Sequence, residues 1–168
     1  MKKKLNLLIG VIFILLTTNS FANKIAFIDL DILVKKSNLG QEISKKLENI
    51  KINNSEEIKN RELSIKKLED EIRKKQNILS KDELKTEITN LQGKIKEFNS
   101  YKVKKKNDFN QFKNDEILKF FNTIDPLIQS YLSENSIDIL FNNKNIVIGK
   151  DSLDITDKII NMINNSLE

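Results

Sequence analysis

The feature that most constrains the fold is a long stretch, residues 41–119, in which apolar side chains recur at helical spacing among Lys, Glu, Asn and Ser. A narrow apolar stripe of this kind is typical of helices that pack along one seam and leave their other faces in water. In the second half of the stretch the steps alternate between four and three residues, as in a heptad repeat. The members of this regular run are Leu84, Ile88, Leu91, Ile95 and Phe98.

A reversal divides this stretch into two helices. Residues 77–82 read Asn-Ile-Leu-Ser-Lys-Asp, and Ser80 with Glu83 has the spacing of a capping box at the start of a helix. We therefore predict an antiparallel coiled-coil α-helical hairpin over residues 41–119, which we call the arm, with its tip near residues 78–82. Its first helix, with about 39 residues at 1.5 Å each, is expected to be about 58 Å long.

The middle of the arm interrupts the apolar seam. Continuing the repeat places Lys102 and Lys105 at seam positions. With the tip as predicted, these lysines lie opposite residues 54–58, which include Glu57. Because a buried charge without a partner is costly, either the helices separate here or Lys and Glu pair across a wet gap. We expect the arm to flex or part near Ile58 and Lys102.

The residues on either side of the arm, 23–40 and 120–168, predict one small body that contains a β-sheet, so the fold class is α+β. The closing helix should begin at Asp154–Asp157 and run to about Asn164. Its apolar side comprises Ile155, Ile159, Ile160 and Ile163. Three strands are expected, the last two as a hairpin: Lys24–Leu30, Ile137–Phe141 and Ile146–Ile148, with the turn at Asn142–Asn145.

Shorter signals divide the helical parts of the body. Asp31 has the position of an N-cap for a short helix that ends at Lys36. The segment Ser37–Gly40 should separate this helix from the arm. Pro126 should kink the returning helix, because proline removes one backbone donor and clashes with the preceding turn.

The composition of the strands predicts self-association. The first and third strands are apolar on both faces, whereas one chain can cover only one face of so small a sheet with helices. We therefore expect the uncovered face to contact further copies of the chain. The residues predicted to contribute are Ile25, Phe27, Ile137, Ile139, Phe141, Ile146 and Ile148.

The first 22 residues have the pattern of a secretory signal peptide. Lys2–Lys4 precede an apolar run of 12 residues, Leu5–Leu16, and small residues lead to an expected cleavage site after Ala22. The alternative is an uncleaved membrane anchor, but the run is shorter than the roughly 17–25 residues that span a bilayer. Cleavage removes three of the 29 basic residues and none of the 24 acidic ones, which leaves 26 against 24 and a net charge of +2. Export and this low charge disfavour nucleic acid as a partner.

The residue inventory disfavours an enzyme. The chain has no Cys and no His, so it lacks a thiol nucleophile and the commonest general base and zinc ligand. We predict no catalytic residues, no metal ligands and no cofactor. The pair Asp29 and Asp31 after an apolar strand resembles the aspartates of haloacid-dehalogenase phosphatases. The βαβ series of that class does not follow, so a strand end and a helix cap is the preferred interpretation.

The order of these elements resembles the periplasmic outer-membrane-protein chaperones of the Skp/OmpH type. The resemblance covers about residues 23–164. It is carried by the charged hairpin and by short segments in a specific order: Lys24–Asp29 after the signal peptide, Pro126 in the returning helix, Ile137–Phe141 with Ile146–Ile148, and Asp154–Ile160.

The resemblance implies a location and an assembly. It implies an ATP-independent holdase in the periplasm that binds unfolded outer-membrane proteins, and a homotrimer with a β-barrel-like core whose three arms enclose a cavity. It also suggests a membrane surface or lipopolysaccharide as further partners. Members of this family are usually more basic than +2, and no lipopolysaccharide site can be matched to this chain.

Two interpretations remain open for the arm. The lysines of the interrupted seam could hold an anionic client or could form an ordinary solvated helix face. The aromatic residues that follow could face a client or pack inside the arm. The client-facing candidates are Lys102, Lys104, Lys105, Lys106, Phe109 and Phe112. An alternative function for the whole chain is a non-catalytic envelope coiled-coil adaptor or spacer that binds one folded partner.

Overall fold

The computed structural model describes residues 23–167, and the predicted signal peptide lies outside this range. The protein is mostly helical with a small two-stranded sheet, in agreement with the predicted α+β class. The elements, in chain order, are β1 (Ile25–Ile28), α1 (Leu30–Lys36), α2 (Asn38–Lys75), α3 (Lys81–Glu134), β2 (Ile139–Asn142) and α4 (Thr156–Ser166). Short 3₁₀ turns at Asn143–Asn145 and Asp151–Leu153 connect β2 to α4.

The long helices α2 and α3 form an antiparallel hairpin whose reversal lies between Lys75 and Lys81. The predicted capping box is confirmed, because the Ser80 hydroxyl accepts a hydrogen bond from the Glu83 amide while the Glu83 carboxylate accepts one from the Ser80 amide at 2.9 Å. This reciprocal pair satisfies two donors at the start of α3. The helix then continues through Pro126 to Glu134 without interruption.

The junction between α1 and α2 is tighter than the sequence suggests. Ser37 alone separates the two helices: its amide donates to the Leu33 carbonyl at 3.1 Å, and its hydroxyl accepts from the Gly40 amide at 3.2 Å. Gly40 therefore belongs to the first turn of α2, and the prediction that residues 37–40 interrupt the helices was too long. One fully buried residue thus caps the end of one helix and the start of the next.

The predicted N-cap of α1 was wrong by two positions. Asp29 is the N-cap, and its carboxylate accepts from the Ile32 amide at 2.9 Å and from the Asn143 side chain at 3.2 Å. Asp31 lies in the first turn of α1 instead and forms an exposed ion pair with Lys144 at 2.6 Å. The strand ends two residues earlier than predicted, which moves the start of the helix accordingly.

Asp29→Ala is expected to lower the free energy of unfolding by about 1 kcal/mol, the usual cost of losing an N-cap. Asp31→Ala is the matched control and should change it by less than about 0.5 kcal/mol, because its ion pair is exposed. The Ile32 amide, and then the Asn143 side chain, lower the pKa of Asp29 below its ordinary value of 3.8. The stabilisation is therefore present above that pH and is lost as the pH falls through the lowered pKa.

Urea unfolding of both variants at neutral pH, repeated below pH 3.8, checks this prediction. The difference between the wild type and Asp29→Ala should shrink in acid. Equal losses for the two variants at neutral pH would contradict the assignment of Asp29 as the cap.

The predicted β-hairpin is not formed. β2 pairs with β1 in parallel, with Ile25 opposite Ile139 and Phe27 opposite Phe141. The Asn142 side chain accepts from the Lys144 amide at 3.1 Å and turns the chain into a 3₁₀ turn, which is held toward α1 by the Asn143–Asp29 and Lys144–Asp31 contacts. The segment 146–148 is consequently not a strand within the protomer and cannot run back along β2.

The core lies where the base of the arm, the sheet, α1 and α4 meet. Phe120 and Ile124 of α3 are fully enclosed, and Leu33 of α1 joins them. The predicted apolar side of the last helix is confirmed as part of this cluster: Ile155, Ile159, Ile160 and Ile163 are all buried. Within residues 23–167, none of the helices combines the length and hydropathy needed to cross a bilayer.

Candidate functional site

One face of the sheet is packed and the other is open. Because side chains alternate along a strand, Ala26 and Ile28 point to the core together with Leu140, and they are buried or partly buried there. The opposite face carries β-branched and aromatic side chains, of which Phe27 is 8% exposed and the others are reached by solvent. On this open sheet face Ile25, Ile139 and Phe141 each expose 42% of their surface.

An apolar groove of about 240 Å³ runs along this open face. Its floor includes Ile25, Phe27 and Phe141, and the segment that follows the 3₁₀ turn forms one wall with Ile146 and Ile148. A Cβ atom on Gly149 would lie 3.0 Å from the ring of Phe27, so glycine lets this wall approach the strand closely. The groove is therefore built from the two strands and the segment that failed to form a third one.

The structure thus brings together most residues predicted for self-association. Five of them line the groove. Ile139 lies two positions before Phe141 on the same open face and pairs with Ile25 of β1. Ile137 is placed differently, because it is 9% exposed and belongs to the core cluster. Ile148 is 91% exposed and the adjacent Val147 is 97% exposed, so this wall presents apolar side chains directly to solvent.

The seam of the arm is poorly covered. Among the described residues 44–115, Ile72 alone is buried, and the other apolar side chains of the seam are half-buried or exposed. In a two-helix hairpin each seam residue packs against only one other helix, whereas a residue in a protein core is surrounded by contacting residues on all sides. The arm therefore presents a long apolar stripe that is bordered on both sides by charged residues. Its half-buried members include Ile58, Ile65, Leu68, Leu84, Leu91 and Phe98.

A polar cluster joins the two helices at the middle of the arm. Lys105 Nζ lies 2.7 Å from Glu57 Oε2, and the hydroxyl of Tyr101 donates to the same carboxylate. The Arg61 guanidinium carbon lies 3.9 Å from the centroid of the Tyr101 ring, and Lys105 Nζ lies 5.4 Å from it. We call Glu57, Arg61, Tyr101 and Lys105 the mid-arm cluster. The expected pairing of Lys with Glu across the gap is observed here.

Charges within the cluster stabilise each other's ionised forms. The hydrogen bond from Lys105, followed by that from Tyr101, lowers the pKa of Glu57 below its ordinary value of 4.5. The Glu57 carboxylate in turn raises the pKa of Lys105 above 10.5. Because the pKa of Glu57 is lowered, its contribution is present above pH 4.5 and is lost as the pH falls through the lowered value.

The other predicted client-facing residues are spread around α3. Lys102 Nζ lies 4.6 Å from the ring centroid of Phe98, and Lys104 pairs with Asp108 one turn along the same helix at 2.7 Å. Lys106 is exposed, whereas Phe109 and Phe112 are half-buried. These side chains do not converge on one site. They form successive parts of the arm surface.

Sequence reasoning missed the central residue of the mid-arm cluster. Tyr101 follows Phe98 by three residues, so it lies beside the seam position that the repeat assigns to Lys102. An aromatic residue one step from a lysine on the seam was an available signal, since the ring can cover apolar surface while its hydroxyl reaches a carboxylate. Next to the cluster the helices leave an open cleft of about 670 Å³, lined by Ile65, Leu68, Phe98 and Tyr101 among others.

Comparison with known families decides the relationship. The model of the family described as outer membrane protein (OmpH-like) matches residues 24–163, which include the open sheet face and the whole arm. This chain belongs to the OmpH-like family. The match confirms the resemblance that the order of elements suggested.

A solved structure agrees with this OmpH-like assignment at the level of fold. The crystal structure of a candidate outer membrane chaperone (OmpH-like) from Caulobacter crescentus CB15 is similar with a TM-score of 0.80, and 89% of each chain is covered. Its sequence is 13% identical, so the likeness concerns the fold and not individual residues. Comparison with curated proteins found no significant match.

Proposed function

We propose that this OmpH-like protein is an ATP-independent holdase chaperone of the periplasm. In this role it binds unfolded outer-membrane β-barrel proteins and prevents their aggregation on the way to the outer membrane. The family match and the fold shared with the Caulobacter protein support a chaperone role. The observation that carries the proposal is the arm, which offers a long apolar seam that its own two helices leave half exposed.

The chemistry of the arm suits a client with alternating side chains. Strands of outer-membrane barrels alternate apolar and polar residues, so an unfolded client presents short apolar patches between polar ones. The arm presents an apolar stripe bordered by lysine and glutamate. Contacts of this kind are individually weak, and their number supplies the affinity. Such binding needs no nucleotide and leaves the client free to depart.

The open sheet face supports the assembly that a holdase of this shape requires. An exposed apolar groove on so small a sheet is typical of a surface that another chain covers. In the proposed homotrimer, three copies join through this face into a barrel-like core, and their arms enclose the client. The residues proposed for the contact are Ile25, Ile139, Phe141, Ile146 and Ile148, with the buried Phe27 in the floor beneath them, while Ile137 stays in the core of its own protomer.

Location and further partners follow from the same proposal. The signal-peptide pattern of residues 1–22 supports export to the periplasm, where outer-membrane clients pass. A membrane surface or lipopolysaccharide remains a secondary proposed partner. The exposed lysines Lys102, Lys104 and Lys106 could contact such anions, although the pairing of Lys104 with Asp108 and the net charge of +2 weaken this attraction.

The proposal is tested by diluting a urea-unfolded outer-membrane β-barrel protein into buffer that contains the chain from Asn23 onward. We expect a threefold molar excess of the chain, without ATP, to suppress light scattering by most of its amplitude. Several unrelated barrels should be protected. Unchanged scattering for all of them would contradict the holdase function.

A pull-down from envelope extract separates the proposal from an adaptor function. A holdase should recover many barrel proteins in small amounts. An adaptor or spacer should recover one folded partner in stoichiometric amount and should leave the scattering of unfolded barrels unchanged.

A further inference from the structure

The mid-arm cluster lies where the repeat places Lys102 and Lys105, rather than apolar residues, on the seam. Two ion pairs join α2 to α3 within the described residues: Lys46–Glu116 near the base at 3.7 Å, and Lys105–Glu57 at the middle at 2.7 Å. On either side of the middle pair, Ile58 and Phe98 are only half-buried. Polar contacts therefore add to the apolar packing between the helices at this point.

We propose that the mid-arm cluster is a reversible latch that holds the two helices of each arm together and exposes the central seam to client when it opens. The part of this inference that concerns client rests on the proposed holdase function. The latch itself is a property of the arm and can be judged without any client. It also gives the expected pairing of Lys with Glu a defined set of contacts, while the flexing expected near Ile58 and Lys102 stays a prediction.

The contacts of the cluster are coupled because they share two side chains. Glu57 accepts from both Lys105 and Tyr101, and the ring of Tyr101 is covered by Arg61 and approached by Lys105. Loss of any one partner therefore weakens the others, which is the condition for a cooperative open–closed step. Each single contact is at least partly exposed to solvent and is weak, so the closed state should be favoured only modestly.

In a holdase the closed state of the latch should be only modestly stable, so that client can open it. A client that offers apolar side chains to Ile58, Ile65 and Phe98 can compensate for the lost contacts, because it binds the open arm better than the closed one. The ionic part of the latch should also weaken with added salt, whereas the contact of Arg61 with the Tyr101 ring is less sensitive. Client binding and arm opening are thereby linked.

The chain offers a closely matched pair of variants for the test. Lys105 and Lys104 are neighbours on α3, and each forms an ion pair of 2.7 Å. Lys105 pairs across the arm with Glu57, whereas Lys104 pairs with Asp108 along its own helix. Lys105→Met and Glu57→Gln should open the latch, and Lys104→Met is the control for loss of a charge at the same place.

Hydrogen exchange on the chain from Asn23 onward is the first measurement. Lys105→Met and Glu57→Gln should raise the exchange rate of residues 54–62 and 98–106 about fivefold, the size expected for losing a weak coupled contact. Lys104→Met should leave both segments close to the wild type. Equal exchange in Lys105→Met, Lys104→Met and wild type overturns the latch.

Tyrosine emission gives a second, independent measurement. The sequence contains two tyrosines and no tryptophan, so a Tyr131→Phe background leaves Tyr101 as the sole strong fluorophore. A phenol that donates to a carboxylate is quenched, and Glu57→Gln should therefore increase the emission of Tyr101. Lys104→Met should leave the emission of Tyr101 unchanged. An unchanged emission in Glu57→Gln contradicts the closed cluster.

Client capture completes the test. A photo-reactive side chain at Phe98 should cross-link an unfolded barrel more strongly in Lys105→Met than in Lys104→Met. Increased exchange without increased cross-linking overturns the link to client while the holdase function stands. If the wild type fails to suppress aggregation, the proposed function fails, and the exchange data still decide whether the latch exists.

Discussion

Gly40→Ala is expected to destabilise the protein by about 3 kcal/mol or more, a large part of the roughly 5–15 kcal/mol that stabilises a typical domain. A Cβ atom at Gly40 would lie 1.7 Å from the carbonyl oxygen of Val34 and 2.6 Å from its carbonyl carbon. Both are backbone atoms, so no side-chain rotation relieves the clash. The methyl group can be accommodated only if α1 and α2 move apart.

That movement affects the centre of the body. The junction is fixed by the fully buried Ser37, which bonds to both helices, and the Asn38 amide donates to the Asn164 side chain of α4 at 2.8 Å. Leu33 and Ile43, on the two sides of the junction, both belong to the core cluster. Separation of α1 from α2 therefore breaks caps and core packing together.

Gly93→Ala is the matched control. Gly93 lies inside α3, and beyond its chain neighbours and the nearby backbone of its own helix a Cβ atom there meets nothing within 4 Å. Alanine should therefore stabilise the helix by about 0.5–1 kcal/mol. Urea unfolding at one fixed protein concentration should move the midpoint in opposite directions for the two variants. A Gly40→Ala midpoint within error of the wild type would contradict the close approach of α1 and α2.

The features that were predictable from sequence are those that depend on neighbouring residues. The heptad spacing, the Ser80–Glu83 capping box and the apolar side of α4 each involve residues a few positions apart, and all are present in the structure. Asp29, rather than Asp31, caps α1 because strand β1 ends earlier than its apolar sequence suggests. Boundaries of this kind depend on where tertiary hydrogen bonds stop.

The pairing of strands could not be read from the local pattern. A turn of asparagines between two apolar segments favours a hairpin, yet β2 pairs with β1, more than 100 positions away in the chain, as the Asp29–Asn143 separation of 114 residues indicates. Only the return of α3 to the base of the arm makes this partner available. Tyr101 was missed for a related reason, since its role depends on contacts with Glu57 and Arg61 of the opposite helix.

Ile139→Asp is expected to convert the proposed homotrimer into monomers and to abolish the proposed protection of unfolded barrels. Ile139 is 42% exposed on the open sheet face, so a monomer can keep the aspartate in water at little cost. In an assembly joined through this face, the carboxylates would be buried without partners, which is strongly unfavourable. Light scattering of the chain from Asn23 onward should show a fall from three chains to one.

Leu63→Asp is the control for mass, because Leu63 is 47% exposed on α2 and far from the sheet in sequence and fold. It should leave the mass unchanged. Phe141→Asp, on the same open face as Ile139, should repeat the loss of mass and guards against a local effect of one substitution. Circular dichroism should show native helix content in all three variants.

The two readouts of Ile139→Asp test different parts of the proposal. An unchanged mass would show that the open sheet face is not the contact between copies. Monomers that still protect unfolded barrels would show that single arms suffice, and the enclosed cavity would then be wrong while the role of the arm seam stood. We expect both a lower particle mass and a loss of protection. A single arm leaves a bound client open to other chains, whereas several arms joined at their bases can surround the client and keep other chains away from it.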